Sequence, residues 1–396
     1  MAKWKTYKLS ELGKIVGGAT PSTKKKEYYG GNISWVTPKD LSTFRGRYIN
    51  HGKRNITKAG LDSCSLWLMP RHSILFTSRA PIGYVAIANT DMCTNQGFKS
   101  IIPNKETDYL FLYYLLKYNV NRIQNMGSGT TFKEVSGSTM TNIEVSAPSD
   151  INEQRRIGAV LDSLDSKIEI NNRINHCLEE MAQAIFKSWF VDFEPFGGEE
   201  PSEWQTGRLT DIADYLNGLA MQRFRPTEGE TGLPVLKIKE LRQGLCDSSS
   251  ELCSPSIRSD YIVHDGDVIF SWSGSLLVDF WCGGDCGLNQ HLFKVTSRKY
   301  DKWFYYTWTC HHLAKFIAMA ADKATTMGHI KREALENAEV IIPDDDSYSQ
   351  IDGLLAPLYE QIINNRVESR KLVQLRDSLL SKLMTGEIAV EEVSNE

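Results

Sequence analysis

The chain has 396 residues, 41% of them hydrophobic and 24% charged, a length and composition typical of a folded protein with two or three domains. No segment approaches the roughly 18 consecutive apolar residues of a membrane helix or resembles a secretion signal. We therefore expect no membrane partner and a cytoplasmic protein. The eight cysteines follow no regular spacing and are expected to be free thiols, which excludes a disulfide framework.

Charge is unevenly distributed along the chain, although the net charge is only −4. Residues 1–150 contain 20 Lys and Arg against 10 Asp and Glu, whereas residues 207–343 contain 15 against 17. The positive excess at the start predicts a polyanionic partner, because each phosphate neutralised by Lys or Arg releases counterions. The second region has no such excess, which counts against a purely electrostatic role for it.

The sequence contains one pattern twice, with a separation of about 200 residues. The period is far longer than that of a solenoid, so it indicates a duplicated domain. The matching segments are Trp4–Leu12 with Trp204–Ile212, 37–41 with 237–241, 74–76 with 268–270, Asn95-Gln96 with Asn289-Gln290, Thr130-Thr131 with Thr325-Thr326, and Pro148 with Pro343.

Each copy begins with a globular part of mixed α and β structure. Short β-branched or aromatic runs predict strands, for example at residues 73–78 and 268–272, and one helix is predicted in each copy, near 109–124 and 302–321. These parts are the first globular domain (residues 1–149) and the second globular domain (residues 204–345). A Pro-, Gly- and Glu-rich linker is predicted at 192–203.

Each copy ends in a long helix, predicted for residues 150–191 and 346–386, with a tail at 387–396. Asp150 is a suitable N-cap for the first helix. Residues at seven-residue intervals in both helices predict that the helices pair, and Leu161, Ile168, Ile174 and Met181 widen the first stripe. The predicted helix-pairing positions are Ile157, Leu164, Asn171, Leu178, Ile185, Ile351, Leu358, Asn365, Leu372 and Leu379.

The predicted fold class is α+β: two globular α/β domains joined by two long antiparallel coiled-coil helices, in a pseudo-twofold internal repeat with one domain at each end of the helix pair. Two alternatives stay open at this point. Asn171 and Asn365 either fix the register of the pair or face solvent. Pro357 either kinks the second helix or marks its true start.

Several segments resemble the specificity subunits of type I restriction–modification systems. Residues 153–157 and 184–195 are similar to the first helical region of that family, and residues 375–388 are similar to the second. Trp4–Leu12 resembles the opening of a target recognition domain of that family. The resemblance covers nearly the whole chain and departs at Gln350–Pro357, where the Glu-Gln-Arg-Ile run of the first helix has no copy.

The resemblance implies that each globular domain is a target recognition domain that reads one half of a split, asymmetric sequence in double-stranded DNA. The helices would set the spacing between the halves. Two modification subunits, which methylate adenine at N6 with S-adenosylmethionine, and restriction subunits with ATP-driven translocase and nuclease activity would be the partners. S-adenosylmethionine, ATP and magnesium would then be bound by those partners, and this chain would be non-catalytic and hold no cofactor.

Candidate DNA contacts are polar, basic or aromatic residues in loops, because these side chains bind phosphates and base edges. Asn95 and Asn289 are assigned instead to a shared structural turn, since two half-sites of different sequence need different readers. The candidates are Lys24, Lys25, Lys26, Arg45, Arg47, Lys53, Arg54, Arg79, Lys99, Thr130, Thr131 and Lys133 in the first globular domain, and Arg223, Arg225, Lys237, Lys239, Arg242, Trp272, Lys294, Lys323, Thr325, Thr326, His329 and Lys331 in the second.

Other chemistry finds little support in the sequence. Cys282, Cys286 and His291 offer at most three zinc ligands, so no metal site is expected. His311-His312 is interpreted as packing, and 344–346 as negative charge that suits a helix N-terminus rather than nuclease carboxylates. No phosphate-binding loop is found. The alternative to a DNA reader is a helical scaffold that assembles partner subunits without base readout, and the basic first region argues against it.

Overall fold

The computed structural model describes residues 3–128, 133–321, 330 and 332–390. The chain forms two compact units, one of residues 1–169 with 372–396 and one of residues 170–371. Each unit therefore holds one globular domain together with a part of each long helix. None of the helices in the described ranges combines the length and apolar character that crossing a bilayer requires.

The first globular domain is a mixed α/β structure with two sheets and one additional strand pair. Its sheets have the orders β2-β9-β6-β7-β4 and β5-β3-β8, and β1 pairs with β10. Its elements are β1 (Trp4–Lys8), α1 (Leu9–Leu12), β2 (Gly13–Gly17), β3 (Tyr29–Val36), α2 (Pro38–Ser42), β4 (Tyr48–Ile49), β5 (Arg54–Ile56), α3 (Lys58–Asp62), β6 (Ile74–Ser78), β7 (Ile82–Ala88), β8 (Met92–Thr94), β9 (Lys99–Pro103), α4 (Tyr109–Asn125), α5 (Gly137–Asn142) and β10 (Glu144–Pro148).

The long helix α6 (Ile151–Phe190) follows, and the second globular domain repeats much of this plan, with two four-stranded sheets in place of sheets of five and three strands. Its sheets have the orders β12-β19-β16-β17 and β14-β13-β18-β15, and β11 pairs with β20. Its elements are β11 (Gln205–Arg208), α7 (Leu209–Ile212), β12 (Asp214–Asn217), β13 (Leu233–Leu236), α8 (Ile238–Gln243), β14 (Leu252–Cys253), β15 (Ile262–Val263), β16 (Val268–Ser271), β17 (Leu277–Phe280), β18 (Cys286–Leu288), β19 (Leu292–Thr296), α9 (Lys302–Ala321), α10 (Arg332–Glu336) and β20 (Glu339–Ile342), before the second long helix α11 (Asp345–Thr385).

In both globular domains the first strand pairs with the last. In the first, β1 runs antiparallel to β10 with Trp4 opposite Pro148, and in the second, β11 runs antiparallel to β20 with Gln205 opposite Ile342. The first strand of each domain is thus hydrogen-bonded to the last strand before a long helix. This pairing fixes where each helix leaves its domain.

A tight turn after a parallel strand pair recurs in both copies. The Asn95 side chain accepts a hydrogen bond of 2.9 Å from the Gly97 N–H, and the Asn289 side chain accepts one of 3.2 Å from the His291 N–H. A Cβ on Gly18 would lie only 2.1 Å from the Asn95 carbonyl oxygen, so this close approach requires glycine. The two asparagines therefore hold a structural turn, as the sequence predicts.

In the first unit the two long helices pack antiparallel on the first globular domain. Ile157 and Leu161 of α6 share a hydrophobic core with Leu383 and Met384 of α11, and all four are almost fully buried. Deeper along α6, the Asp165 carboxylate accepts a hydrogen bond of 2.6 Å from Arg376 of α11. Residue numbers rise along one helix as they fall along the other, which defines the antiparallel direction.

In the second unit the helices meet through buried amides. Asn365 donates a 2.8 Å hydrogen bond from Nδ2 to Oδ1 of Asn175, and Asn171 donates one of 2.7 Å to Glu368. Asn171 is fully buried and Asn365 is 5% exposed, so the alternative in which they face solvent is wrong. The Nδ2 donors of both amides are satisfied, although Oδ1 of Asn171 has no partner among the described residues. The need to satisfy buried donors favours one register.

Two expectations for the long helices need correction. The sequence places Ile174 and Met181 on the pairing stripe, but they are 42% and 53% exposed because α6 turns that face outward. The helix α11 begins at Asp345 and contains Pro357 in its interior, so Pro357 does not mark its start. Pro357 is exposed there, on a face of α11 that is not packed.

Candidate nucleic-acid interface

Basic side chains of the first globular domain surround an open cleft of about 910 Å³. Lys39, Lys53 and Arg54 line it together with the aromatic rings of Trp35 and Phe44. We call it the basic cleft. Cations beside aromatic rings suit a nucleic acid, which presents phosphates and flat bases.

The walls of the basic cleft are held in place by one carboxylate. Asp40 in the first turn of α2 accepts hydrogen bonds of 2.7 Å from the Thr37 N–H and of 2.9 Å from the Lys53 N–H. The first bond caps α2, and the second ties the loop before β5 to that helix. The carboxylate is occupied by backbone donors, so it positions the basic side chains without forming an ion pair with them.

Arg54 connects the basic cleft to the lysine-rich loop before β3. Its guanidinium carbon lies 4.4 Å from the centre of the Tyr29 ring, and the Tyr29 hydroxyl donates a 2.6 Å hydrogen bond to the Pro21 carbonyl. This loop contains the exposed lysines Lys24, Lys25 and Lys26. Lys25 donates to the Tyr28 hydroxyl, and this hydrogen bond raises the pKa of Lys25. Lys25 is therefore charged at neutral pH.

The predicted DNA contacts of the second globular domain differ in that several are paired with carboxylates. Glu251 forms ion pairs of 2.5 Å with Lys237 and 3.0 Å with Arg225. Lys239 lies 3.5 Å from Asp247. Within the described residues, Arg223 and Arg242 are exposed and have no such partner. Among the described residues, the second domain thus offers less unpaired positive charge.

Arg47 is a correction to the predicted DNA contacts. Its side chain is buried, and it forms a two-bond ion pair with Glu169, an ion pair with Asp162 and a 2.9 Å hydrogen bond to Ser166, all on α6. Burial lowers the pKa of Arg47, but the carboxylates of α6 raise it by more than burial lowers it. The net pKa is raised, so the guanidinium stays charged. Arg47 fastens the first globular domain to its helix and is not available to phosphate.

Three further predicted contacts are cations in ion pairs. Arg79 and Lys99 both approach Glu134, at 3.6 Å and 3.5 Å. Lys294 is bound to Asp267 at 2.8 Å and donates to the Ile262 carbonyl, and with a side chain only 13% exposed it has a structural role.

The remaining predicted contacts fall into three groups. Arg45 and Lys133 are exposed on the first globular domain. Trp272 is half-buried, donates a 3.0 Å hydrogen bond from its indole N–H to Asn217, and lies beside the Phe293 ring. The predicted contacts Thr130, Thr131, Lys323, Thr325, Thr326, His329 and Lys331 lie outside the described residues.

The predicted helix-pairing positions occupy a range of depths. Ile157 and Ile351 are buried in the cores of the first and second units, respectively. Leu164 and Leu372 are half-buried. Around these cores, Leu379 packs in the first unit, and Leu178, Ile185 and Leu358 pack in the second.

Arginines of α11 hold the second globular domain to its helix, and sequence reasoning missed them. Arg366 forms ion pairs of 2.6 Å with Asp279 and 2.8 Å with Glu179, and Arg370 forms one of 2.7 Å with Asp265. The signal in the sequence was an Arg pair at i, i+4 on the face beside the heptad stripe. Lys39 of the basic cleft was missed as well, since it sits in a helical turn rather than a loop.

The cysteines, histidines and acidic residues considered for metal or nuclease chemistry have structural roles in the fold. Cys282 and Cys286 are both buried, and burial raises the pKa of Cys282 to about 11. In the described part of the chain, no group of three or more His, Cys, Asp or Glu is arranged to hold a metal ion. His312 bonds to the Glu339 carbonyl at 2.7 Å, and Asp344 accepts from the Ser347 N–H at 3.0 Å, capping α11.

Comparison with known proteins supplies the family. The chain matches the type I restriction modification DNA specificity domain twice, over residues 1–180 and 201–371. It is 36% identical to the MjaIX type I restriction enzyme specificity subunit of Methanocaldococcus jannaschii, over 98% of this chain and 94% of that protein. It is 21% identical to the HindI specificity subunit of Haemophilus influenzae, over 74% of this chain and 76% of that protein.

A solved structure has the same fold. The S subunit of a type I restriction–modification system from M. genitalium superposes with a TM-score of 0.63 at 16% identity, covering 96% of each chain. Together with the double family match, it confirms the α+β class and the internal duplication expected from the sequence. The resemblance to type I specificity subunits that the sequence shows is confirmed too, and the chain belongs to the type I restriction–modification DNA specificity family.

Proposed function

We propose that this chain reads a split DNA target, with one half-site recognised by each globular domain, and positions the subunits that act on that target. The observation that carries the proposal is one backbone scaffold, present twice, with different side chains at equivalent surface positions. A specificity subunit for an asymmetric target needs this combination, since sequence is read by side chains at base edges and orientation is fixed by the scaffold.

The ends of β6 and β16 give one example of such divergence. The Ser78 carbonyl accepts a hydrogen bond of 2.9 Å from the Val135 N–H, and the Trp272 carbonyl accepts one of 3.2 Å from the Ile330 N–H. The two residues therefore stand at equivalent backbone positions. Ser78 is fully buried, whereas the Trp272 indole is half-buried, so the two domains expose different surfaces at this position, which supports recognition of different half-sites.

An apolar stripe on α6 supports the docking of a partner subunit. The residues that we call the outer stripe, Ile170, Ile174, Cys177 and Met181, recur at heptad spacing and are all exposed. Exposed apolar side chains in a continuous row on a helix mark an interaction surface. We assign this surface to a modification subunit. S-adenosylmethionine, ATP and magnesium are proposed to bind to the modification and restriction partners, with this chain non-catalytic.

Methylation mapping tests the reading function. The chain is expressed with its modification subunits in cells that lack other adenine methylation, and N6-methyladenine is mapped across the genome. The expected result is one interrupted, asymmetric motif. An uninterrupted motif would contradict recognition by two domains. Methylation without sequence preference would favour the scaffold alternative.

Thiol chemistry tests the docking surface. Cys177 is the exposed member of the eight cysteines, so an alkylating reagent reports on the outer stripe. Addition of the modification subunit is expected to slow alkylation of Cys177 several-fold, and Cys177→Ser serves as the control for background labelling. Unchanged alkylation in a complex that has demonstrably formed would place the docking surface elsewhere.

A further inference from the structure

The two globular domains carry opposite charges at one equivalent strand position. In the first, Arg54 of β5 lies opposite Trp35 of β3. In the second, the Val235 N–H of β13 donates a 2.7 Å hydrogen bond to the Glu251 carbonyl, which places Glu251 opposite Val235.

The strand pairing shows that these positions are equivalent. Val36 of β3 lies opposite Thr94 in a parallel pair, and Leu236 of β13 lies opposite Leu288 in the same kind of pair. Trp35 and Val235 each precede these residues by one position. Arg54 and Glu251 therefore correspond, and the duplicated scaffold presents a cation in one copy and a carboxylate in the other.

This charge reversal decides whether the neighbouring cations are ion-paired. Glu251 neutralises both Lys237 and Arg225, and their charges lower the pKa of Glu251. On the first globular domain, Lys39, Lys53 and Arg54 line the basic cleft, and none of the three forms an ion pair within the described residues.

Paired and unpaired cations differ in how they bind DNA. An unpaired Lys or Arg neutralises a phosphate and releases a counterion, and each such contact makes binding weaker as salt rises. A cation already bound to Glu251 brings that negative charge to the phosphate, so its net contribution is small. Glu251 therefore suppresses backbone binding at the surface where the first globular domain favours it.

We propose that the two recognition domains are electrostatically unequal: the basic cleft of the first globular domain anchors the DNA phosphates, whereas Glu251 keeps the equivalent surface of the second from doing so. This inference rests on the proposed DNA-reading function. A chain built in this way holds DNA through one domain, while the second domain accepts or rejects its half-site with little non-specific attraction.

Salt dependence of DNA binding tests the inequality. The chain in complex with its modification subunits is titrated with a duplex carrying the mapped target, and the dissociation constant is followed by fluorescence anisotropy from low to high salt. K39Q/K53Q/R54Q is expected to lower the logarithmic salt slope by roughly 0.9 for each lost phosphate contact. The matched variant R225Q/K237Q/K239Q is expected to change the slope by less than about 1.

A gain-of-binding variant keeps the test independent of loss through misfolding. Glu251→Gln frees Lys237 and Arg225 and is expected to raise both the salt slope and the affinity for non-target DNA. Lys58→Gln removes a cation that is already paired with Asp62 and serves as the control, with no expected change.

Two outcomes overturn the inference: equal slope losses for the two triple variants, or no gain with Glu251→Gln. Failure of the proposed function has a different signature. In that case the wild-type complex fails to distinguish target from non-target duplex at any salt concentration.

Discussion

The joints between the globular domains and the long helices can be compared directly, because each unit contains one. In the first unit the cation belongs to the globular domain, where Arg47 binds Asp162 and Glu169 of α6. In the second unit the polarity is reversed, and Arg366 of α11 binds Asp279 of the globular domain. Both units therefore join a globular domain to a long helix by an ion pair, but the cation lies on the globular domain in one unit and on the helix in the other.

This reversal shows which features of a duplicated fold are retained and which diverge. Strand pairing and turns recur because they satisfy backbone hydrogen bonds that any sequence must satisfy. Side-chain ion pairs are replaceable as long as each buried charge has a partner. As a result each globular domain carries, at its joint, the charge that complements its own helix segment.

Removal of Arg47 is the most severe test of the comparison. Arg47→Ala leaves two carboxylates of α6 without their buried cation and is expected to cost about 3 kcal/mol of unfolding free energy. Urea denaturation followed by circular dichroism measures the loss. Arg45→Ala, at an exposed neighbour, is the control, with an expected change below about 0.5 kcal/mol.

Hydrogen exchange then locates the damage. Arg47→Ala is expected to raise exchange in residues 1–169 and 372–396, whereas Arg366→Ala is expected to raise it in residues 170–371. If either substitution loosens both units to the same degree, the joints are not separate and the comparison fails.

The contacts between α6 and α11 also differ between the two units. In the second unit these helices meet through the amides of Asn365 and Asn175, and this contact can be tested by itself. Asn365→Leu removes the donor to the Asn175 side-chain oxygen Oδ1 and is expected to cost about 2 kcal/mol, the cost of an unsatisfied buried polar group. Replacing both residues by Leu should recover most of this loss. A double-mutant cycle by urea denaturation measures the coupling, and additive losses would show that the two amides do not interact.

The sequence predicts the larger features of this molecule because they depend on periodic patterns. Heptad spacing together with the capping signals predicts α6 and α11 to within one residue at each end, and the repeat predicts that Asn95 and Asn289 share a turn. The role of Arg47 was not predictable, because in one dimension a buried arginine bound to a distant helix looks the same as an exposed arginine in a loop. Glu251 escaped notice for the same reason: its equivalence to Arg54 follows from strand register, not from sequence spacing.

A smaller effect is expected at alkaline pH at the joint of the second unit. Burial raises the pKa of Cys282 to about 11, while an unfolded thiol titrates near 9.0. Between these values the unfolded state has lost a proton that the folded state keeps, so the stability from this group is complete below pH 9 and falls as pH rises. The free energy of unfolding is expected to be about 1 kcal/mol lower at pH 10 than at pH 8 because of this group.

Cys282→Ser isolates that contribution, since its hydroxyl does not ionise in this range. The variant should lose less stability than the parent chain between pH 8 and pH 10 by urea denaturation. An identical loss in both proteins would show that Cys282 does not contribute to the alkaline transition.

Exchange of the first globular domain tests the division of labour between the two domains most directly. Residues 1–149 are replaced by the corresponding domain of a family member with a different target, and N6-methyladenine is mapped in cells that also express the modification subunits. The expected motif has one new half, with the other half unchanged. A motif altered in both halves, or in neither, would contradict independent reading by the two domains.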